Sequence, residues 1–468
     1  MEDPFEPFSD PELQALIGRF ESMLEVNSHY FFDVDEFEDL LDYYLFHNDL
    51  KKITKILTLA LEQHPGSLTI LLKQAQFFIN TNQENLALQI LHDTYSEEIT
   101  DHEIHIARGN LYSQLNKYSA AIKEFKLGIH ETEELDEIYS NIAFEYENLG
   151  KYDKAIEYFM KALEWNPENE PALYELSFCC EVSQQTEQII RFLREYLNKH
   201  PYSKSAWFNL GIAYSNLEQF EQAIDAYDYT IAIDETFASA YFNKANCLAL
   251  QTQYDKAIET YLETFLYEEP EPFTHYYIAE CYEKMRKFDL AIEQYQKAIA
   301  LDPEFADAWL GIGLSYDELD NSRAALAYVT KAVRLTPTIP EYWFILGDIQ
   351  IKLKQFDEGI SSYRKVIELD PDDPEIWMDL AAVYADLKEY SNALTTLEEG
   401  LKWHETNPDF YYGMVYLLVM SGKSKQAQEL LEQAMDMDAE GYNRLFLTFP
   451  EARTHPVVLD LITTFKKD

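Results

Sequence analysis

The sequence contains very little glycine and cysteine. Only 14 of its 468 residues are glycine, and only four are cysteine. Phosphate-binding loops need several closely spaced glycines, and no such motif is present. No Cys-x-x-Cys pair occurs either, which argues against a zinc knuckle and against a disulfide framework. We therefore expect neither a nucleotide cofactor nor a structural metal.

Basic residues are also scarce. There are 37 Lys and Arg residues against 84 Asp and Glu residues, which gives a formal net charge of −47. An electrostatic field of this sign repels phosphate backbones, so we expect no direct binding of nucleic acid. The acidic excess has two explanations, namely a basic partner protein or general solubility.

Long apolar runs are absent. No run approaches the roughly 18 residues that a membrane-spanning helix needs, so we expect no membrane insertion. The first ten residues, MEDPFEPFSD, lack the basic and apolar regions of a secretory signal. These features predict a cytoplasmic protein.

The sequence does contain an internal repeat of 34 residues. The stretch AWFNLGIAY at 206–214 returns as AWLGIGLSY at 308–316, three periods later. An internal period of this length is typical of a stacked repeat array. It continues without insertion or deletion through twelve units, which begin at residues 34, 68, 102, 136, 170, 204, 238, 272, 306, 340, 374 and 408.

Two positions in each unit hold small residues. The eighth residue is small in ten of the twelve units, and the twentieth is Ala or Gly in ten. Small side chains at fixed positions allow two helices to approach closely. The stretch NLGKYDKA at 148–155 indicates a tight turn at Gly150, and Pro at position 32 of six units separates one unit from the next. Each unit is therefore predicted to form two helices joined by a turn.

The unit that begins at residue 306 carries a family pattern. Its pattern residues are Trp309, Ile312, Gly313, Tyr316, Ala325, Ala332 and Pro337, with Val329 in place of the usual aromatic residue. On these residues the chain resembles the tetratricopeptide repeat proteins, and the resemblance covers residues 34–441. It implies an all-α fold: a right-handed α-solenoid superhelix of tandem helix–turn–helix repeats with terminal capping helices.

The units from 34, 68, 170 and 408 depart most from this pattern. Ile53 and Ile189 stand where Ala is expected, and Leu41 and Val415 stand where Gly or Ala is expected. Departures in terminal units fit capping. The departure at 170–203 is internal, and we interpret it as a local change in packing or a binding surface.

The array divides the chain into three predicted segments. These are an N-terminal capping helix with an acidic lead-in at 1–33, twelve repeats at 34–441 and a C-terminal capping segment at 442–468. Asp10 is expected to cap a helix that begins at Pro11. The apolar face of that helix would comprise Leu13, Leu16, Ile17 and Phe20. A docking helix for a partner is the alternative interpretation of this segment.

The predicted segments leave no part of the chain for a catalytic domain, so we expect no enzymatic activity. Three of the four cysteines, Cys179, Cys247 and Cys281, stand at position 10 of their units, as small core residues do. His102 and His105 are spaced like a pair of metal ligands, but no further ligand is identifiable. We interpret these two histidines as surface or capping residues.

The resemblance implies that the first helix of each unit lines a concave wall, where positions 2, 5, 6 and 9 meet a ligand. From the fifth unit onward, position 5 is apolar throughout: Tyr174, Phe208, Phe242, Tyr276, Leu310, Phe344, Met378 and Tyr412. The candidate partner-binding residues are Tyr174, Phe208, Asn209, Phe242, Asn243, Asn246, Tyr276, Tyr277, Glu280 and Phe344. Rings would supply contact area, amides would pair with a peptide backbone, and carboxylates would favour Lys or Arg. The alternative is that these residues only reflect the repeat consensus.

The carboxylate clamp of chaperone-binding family members is not matched. Asn110 and Asn141 agree with it, whereas Ile106, Pro171 and Glu175 replace its basic residues. We therefore do not expect a cochaperone of the clamp type.

A protein-interaction scaffold or adaptor is the leading hypothesis for the function. It would bind a protein or peptide, and the net charge favours a basic one. A regulatory or substrate-presenting subunit of a larger enzyme complex is one alternative, and an acidic chaperone for a basic client is another. The sequence leaves homo-oligomerisation through either cap open.

Overall fold

The computed structural model describes residues 11–26, 29–94, 102–129 and 135–465. Within these residues all regular elements are helices, and consecutive helices pack in pairs. The all-α expectation is confirmed. The chain divides into two compact units, Met1–Glu235 and Thr236–Asp468.

The N-terminal unit contains a leading helix followed by six helix pairs. Its helices are α1 (Pro11–Val26), α2 (Val34–Phe46), α3 (Leu50–Gln63), α4 (Leu68–Asn80), α5 (Glu84–Asp93), α6 (His102–Gln114), α7 (Tyr118–Gly128), α8 (Leu135–Asn148), α9 (Tyr152–Trp165), α10 (Glu170–Val182), α11 (Thr186–Lys199), α12 (Lys204–Asn216) and α13 (Phe220–Ile233). From α2 onward, even-numbered helices are the first of each pair, and they begin within one residue of a 34-residue spacing.

The C-terminal unit continues the same order. Its helices are α14 (Ala238–Leu250), α15 (Tyr254–Thr264), α16 (Pro272–Lys284), α17 (Phe288–Leu301), α18 (Ala306–Glu318), α19 (Ser322–Leu335), α20 (Pro340–Lys352), α21 (Phe356–Leu369), α22 (Pro374–Asp386), α23 (Tyr390–Gly400), α24 (Pro408–Met420), α25 (Ser424–Met437), α26 (Tyr442–Thr448) and α27 (Pro456–Phe465), with a 3₁₀ turn at Pro450–Arg453 between the last two. Four first helices, α16, α20, α22 and α24, begin with proline, whose missing N–H is not needed at that position.

Each tight turn within a pair contains one residue in the left-handed region. The turn residues are Asn48, Asn82, Asn116, Gly150, Gln184, Glu218, Thr252, Arg286, Asp320, Lys354, Lys388 and Gly422, all with φ between 55° and 76°. They lie 34 residues apart, so the turn recurs at the same position of every pair. The predicted turn at Gly150 is confirmed, with φ at 67°. Most other turns use residues for which this conformation is less favourable.

The small residue at position 8 makes room for the large residue at position 24 of the same repeat. A Cβ atom built on Gly211 would lie 2.5 Å from the ring of Tyr227, and one built on Gly347 would lie 2.6 Å from Tyr363. In the repeat that begins at residue 306, a Cβ atom built on Gly313 would lie 2.4 Å from Cγ2 of Val329. The substitution of valine for the usual aromatic residue therefore preserves the close packing.

Four tryptophans at position 4 of their repeats form a hydrogen bond between a first helix and the linker that precedes it. The indole Nε1 donates to the carbonyl oxygen of the proline six residues earlier, at 2.9 to 3.1 Å. The donors are Trp207, Trp309, Trp343 and Trp377, and the acceptors are Pro201, Pro303, Pro337 and Pro371. Each bond gives a hydrogen-bond donor to a linker carbonyl that lies outside the helical hydrogen-bond pattern.

The leading helix α1 packs on the first helix pair. It begins at Pro11, and its residues Leu16, Ile17 and Phe20 are buried in one cluster with Phe37 of α2. Leu13 packs against the edge of that cluster. Asp10, the expected cap, lies outside the described residues. These contacts favour the capping interpretation of α1.

The repeat at 170–203 packs differently from its neighbours. Ile189 is buried in α11 at the position where ten repeats carry Ala or Gly. Because isoleucine holds two helices further apart than alanine does, α10 and α11 pack less closely than the neighbouring pairs. α10 also packs beside α12, as α2 does beside α4. The interpretation of this departure as a local change in packing is confirmed.

Candidate functional site

All ten candidate residues lie on first helices. In the N-terminal unit they lie on α10 and α12, and in the C-terminal unit they lie on α14, α16 and α20. We refer to the solvent-facing side of these first helices, at positions 5, 6 and 9 of the repeats, as the first-helix face. It is described separately for each unit.

In the C-terminal unit, Phe242 is part of an interlocked group of rings. Its ring centroid lies 5.6 Å from that of Tyr261 and 5.6 Å from that of Tyr277, and Tyr261 and Tyr277 are nearly parallel at 6.2 Å. The buried Tyr261 hydroxyl donates to Oδ1 of Asn246. Phe242 and Asn246 therefore both contact other side chains within the fold.

Tyr276 belongs to a second group of rings. Its centroid lies 5.5 Å from Tyr277, 5.5 Å from Tyr295 and 5.1 Å from Phe305. Its hydroxyl donates to Oε1 of Glu280 at 3.1 Å. Burial raises the pKa of the Glu280 carboxyl, and the bond from Tyr276 opposes that rise. Tyr276 is half-buried, so much of its ring contributes to packing.

The expected apolar ladder at position 5 is not exposed along its whole length. Leu310, Met378 and Tyr412 are buried, which corrects the expectation that they face a ligand. Phe344 is half-buried and stacks on Tyr363, with centroids 5.7 Å apart. Position 5 borders the second helix of its own repeat, so a large side chain there packs inward where the neighbouring residues leave space.

Two carboxylates lie beside Phe344. Asp348 is exposed and accepts a hydrogen bond from the Tyr363 hydroxyl, and Asp379 is half-buried. Burial, reinforced by repulsion from Asp348, Glu375 and Asp373, raises the pKa of Asp379 to about 6. Although the Asp348 side chain reaches solvent, partial desolvation by the surrounding protein also raises the pKa of its carboxyl. Within the described part of the chain, no Lys or Arg side chain forms an ion pair with either carboxylate.

Asp379 also borders a cavity of about 330 Å³. Its walls include the apolar side chains of Met378 and Leu447 and the carboxylates of Glu375 and Asp409. Asp409 is already paired with Arg444, whose Nε lies 2.7 Å away. The cavity therefore contains both apolar surface and unneutralised negative charge, a combination that sequence spacing did not show.

In the N-terminal unit, α10 exposes three apolar side chains on one face. Tyr174, Phe178 and Val182 are 62%, 42% and 45% exposed, and they follow one another every four residues. The sequence prediction included Tyr174 and missed Phe178 and Val182. The i, i+4, i+8 spacing of apolar residues at positions 5, 9 and 13 is the signal that identifies them.

The α12 candidates are less accessible. Asn209 is buried, and its amide donates to the carbonyl oxygen of Ser205 at 2.8 Å. This corrects the expectation of a solvent-facing amide, because the side chain of Asn209 folds back onto the backbone of its own helix. Phe208 is half-buried, with its ring 5.8 Å from that of Tyr227.

A further cavity lies on α2, α4 and α6, outside the repeats from which candidates were chosen. It has a volume of about 460 Å³, and carboxamides of Gln76, Asn110 and Gln114 line it. Gln76 donates to Gln114 at 2.9 Å. Lys73 contributes an ion pair with Asp42 at 2.5 Å.

The cysteines and His105 are internal. All four cysteines are buried and none is in a disulfide bond, and burial raises the pKa of Cys179, Cys180 and Cys281 to about 12. Their thiolates are therefore disfavoured as nucleophiles or ligands at neutral pH. His105 is buried, with Nδ1 2.9 Å from Glu124, which corrects its assignment to the surface. His102 is half-buried as the first residue of α6.

Comparison with known protein families agrees with the helix pairs. A sequence model of the tetratricopeptide repeat matches residues 102–129 and 136–169, and a second such model matches residues 205–237. The chain is a tetratricopeptide repeat protein. The model described as the C-terminal domain of cilia and flagella-associated protein 70 matches residues 232–445, so this part of the tetratricopeptide repeat protein is similar to that domain.

Several solved structures are similar to this tetratricopeptide repeat protein. The Cut9-Hcn1 hetero-tetramer of APC/C is 16% identical, with 91% of this chain and 93% of that chain covered and a TM-score of 0.39. The C-terminal part of a tetratricopeptide repeat-containing protein from Cytophaga hutchinsonii is 19% identical, with 55% and 99% covered and a TM-score of 0.46. YrrB, described as having an unusual peptide-binding site, is 17% identical, with 38% and 93% covered and a TM-score of 0.33. None of these scores reaches 0.5, so the family assignment rests on the repeat models and the helix pairs.

No curated protein matched the sequence. Among the described helices, none is both long enough and apolar enough to cross a bilayer.

Proposed function

We propose that this tetratricopeptide repeat protein is a cytoplasmic scaffold or adaptor that binds protein or peptide partners on its first-helix face. Repeats of this type present extended surfaces without a reactive centre. Tyr174, Asn243, Tyr277, Glu280 and Phe344 remain candidate contact residues. No catalytic role and no cofactor is proposed for any of them.

The observation that carries this proposal is the unneutralised pair Asp348 and Asp379 beside the ring of Phe344. A carboxylate whose ionisation is disfavoured gains stability when a cation approaches it. A Lys or Arg side chain of a partner could supply that cation while its methylene groups pack on the aromatic ring. We therefore propose that at least one partner is basic where it meets α20 and α22.

The experiment is an affinity purification of the tagged full-length chain from its native cells, with retained proteins quantified by mass spectrometry. It compares the wild type with the double variant Asp348→Asn, Asp379→Asn. Recovery of the principal partner is expected to fall about tenfold in the variant, because the loss of two interfacial charges weakens binding by more than 1 kcal/mol.

The matched control is the double variant Glu398→Gln, Glu399→Gln, which removes the same charge from exposed positions on the second helix α23. It should retain wild-type recovery. Equal losses in both variants, or no stoichiometric partner with the wild type, would contradict the proposal.

The identity and salt dependence of the recovered protein separate the alternatives. A catalytic chain in constant stoichiometry would favour a regulatory or substrate-presenting subunit. A basic protein that is lost as salt rises would favour an acidic chaperone, because screening weakens contacts between exposed charges.

A further inference from the structure

The strongest unassigned surface of the N-terminal unit is the α10 face, defined by Tyr174, Phe178 and Val182. An α-helix rises 1.5 Å per residue, so these side chains span about 12 Å along one side of α10. All three are exposed large hydrophobic residues. A single exposed hydrophobic residue needs no explanation, but a regular row of three indicates a contact surface.

The neighbouring helix α12 extends this apolar surface. It packs beside α10 and carries Phe208 and Ile212 at the repeat positions that Tyr174 and Phe178 occupy in α10. Both α12 side chains are half-buried. The apolar surface therefore consists of an exposed row of side chains on α10 and a less accessible row on α12.

Negative charge borders both sides of the α10 face. At 100° per residue, Glu181 lies on one edge of the apolar row and Glu175 on the other. Burial raises the pKa of Glu147, and repulsion from the nearby Glu175 adds to that rise. No ion pair with Lys or Arg involves Glu175 or Glu181 among the described residues.

The side chains of the α10 face favour a helix as the occupant. Positions 6 and 9 of α10 hold Glu175 and Phe178, so no carboxamide stands there to pair with a peptide backbone. An extended segment would lose water from its own backbone groups without gaining partners. A helix already satisfies its backbone and presents an apolar row of matching spacing.

We propose that the α10 face docks an amphipathic helix of a partner protein, whose apolar side packs on Tyr174, Phe178 and Val182. Lys or Arg residues at the edges of that helix meet Glu175 and Glu181. The inference rests on the proposed scaffold function and assigns one partner class to one segment of the first-helix face.

The test uses the full-length chain and a fluorescein-labelled, stapled model helix of leucine and lysine, about 18 residues or five turns long. Its leucines occupy one face. Two comparison helices have the lysines replaced by glutamate, or the leucines distributed around all faces. Fluorescence anisotropy measures affinity, and a photoreactive leucine in the first helix locates its binding site by mass spectrometry.

The amphipathic lysine helix is expected to crosslink to α10. The double variant Tyr174→Ser, Phe178→Ser should weaken its binding about tenfold or more, because two central anchors are lost. The control Trp165→Ser, Tyr202→Ser removes two other exposed rings of the same unit and should stay within about twofold of the wild type. Circular dichroism melting of both variants shows whether the fold is retained.

A second variant keeps the test decisive if the first one unfolds. Glu175→Gln, Glu181→Gln should weaken the lysine helix at low salt and have little effect at high salt. Crosslinks outside α10, or equal binding by the helix with scattered leucines, would overturn the inference. Failure of this peptide test with normal recovery of native partners would leave the scaffold proposal standing, whereas peptide binding without any native partner would contradict the scaffold proposal alone.

Discussion

The helices α10 and α16 carry tyrosine at the same repeat position and use it differently. Tyr276 of α16 lies against Tyr295 and Phe305 and donates a hydrogen bond to Glu280. Tyr174 of α10 is 62% exposed. The difference arises because the residues equivalent to Tyr295 and Phe305 are smaller in the α10 repeat.

Those smaller residues are Leu193 and Ser203, which stand 102 residues before Tyr295 and Phe305. Position 9 also changes, from Glu280 in α16 to Phe178 in α10. The accessibility of a repeat position is therefore decided by the residues about 20 to 30 positions later that pack over it. The residue at the position itself does not decide it.

The largest expected effect is a loss of stability when the interlocked ring of α16 is removed. Tyr276→Ala should lower the free energy of unfolding by about 3 kcal/mol, because three ring contacts and a hydrogen bond are lost. Tyr174→Ala should change it by less than about 0.5 kcal/mol. Urea unfolding followed by circular dichroism measures both, and similar values for the two variants would remove the distinction between α10 and α16.

A second prediction concerns how closely the two helices of a repeat approach. Gly347→Ala should destabilise the chain by about 2 kcal/mol, because the new methyl group would lie 2.6 Å from the Tyr363 ring. Ser177 occupies the same position in the looser α10 repeat and is half-buried. Ser177→Thr, which also adds one methyl group at this position, should therefore be nearly neutral in the same urea titration. A large loss for the serine variant would mean that the α10 repeat is packed as tightly as the others.

A third prediction follows from the raised pKa of Asp379. Ionisation of this carboxyl is disfavoured in the folded chain, so it lowers stability progressively as the pH rises from about 4, and fully above the folded pKa of about 6. Asp379→Asn should stabilise the chain by about 1 kcal/mol at about pH 8, and this gain should disappear as the pH falls towards about 4. Thermal melting at several pH values checks it. A gain independent of pH would point to a cause other than ionisation.

The smallest expected effect concerns the turn residues. Thr252 has φ at 62°, which is unfavourable for a β-branched side chain, whereas Gly150 holds the same turn position in the N-terminal unit. Thr252→Gly should stabilise the chain by about 0.5 kcal/mol, since relief of strain exceeds the entropy cost of glycine. Gly150→Ala should destabilise the chain. Differential scanning calorimetry of both variants would reveal the signs, and equal signs would contradict the argument from φ.

The fold was largely predictable from the sequence because one short period determines it. Small residues at two positions, proline in the linkers and a turn between them are local signals that recur along the chain. Exposure at the candidate site was less predictable. The burial of Leu310 and Met378 depends on contacts with other helices that the repeat pattern does not encode, and the amide of Asn209 bonds to the backbone of its own helix.

The proposed contact residues that the sequence prediction missed follow the same rule. Phe178 and Val182 could have been found from their spacing with Tyr174. The environment of Asp379 could not, because its raised pKa depends on the surrounding protein and on carboxylates from a neighbouring repeat. A repeat pattern identifies which face a residue occupies, whereas the charge and accessibility of that face require the packed structure.

The tryptophan bonds to the linker prolines have a practical consequence for observing these differences. Four of the six tryptophans share this hydrogen bond, one in the N-terminal unit and three in the C-terminal unit. Replacing all but Trp207, or all but Trp343, would place a single natural fluorophore at one chosen linker. The emission wavelength of each such protein would then shift when water reaches that linker. Comparison of the two proteins would show which linker opens first during unfolding.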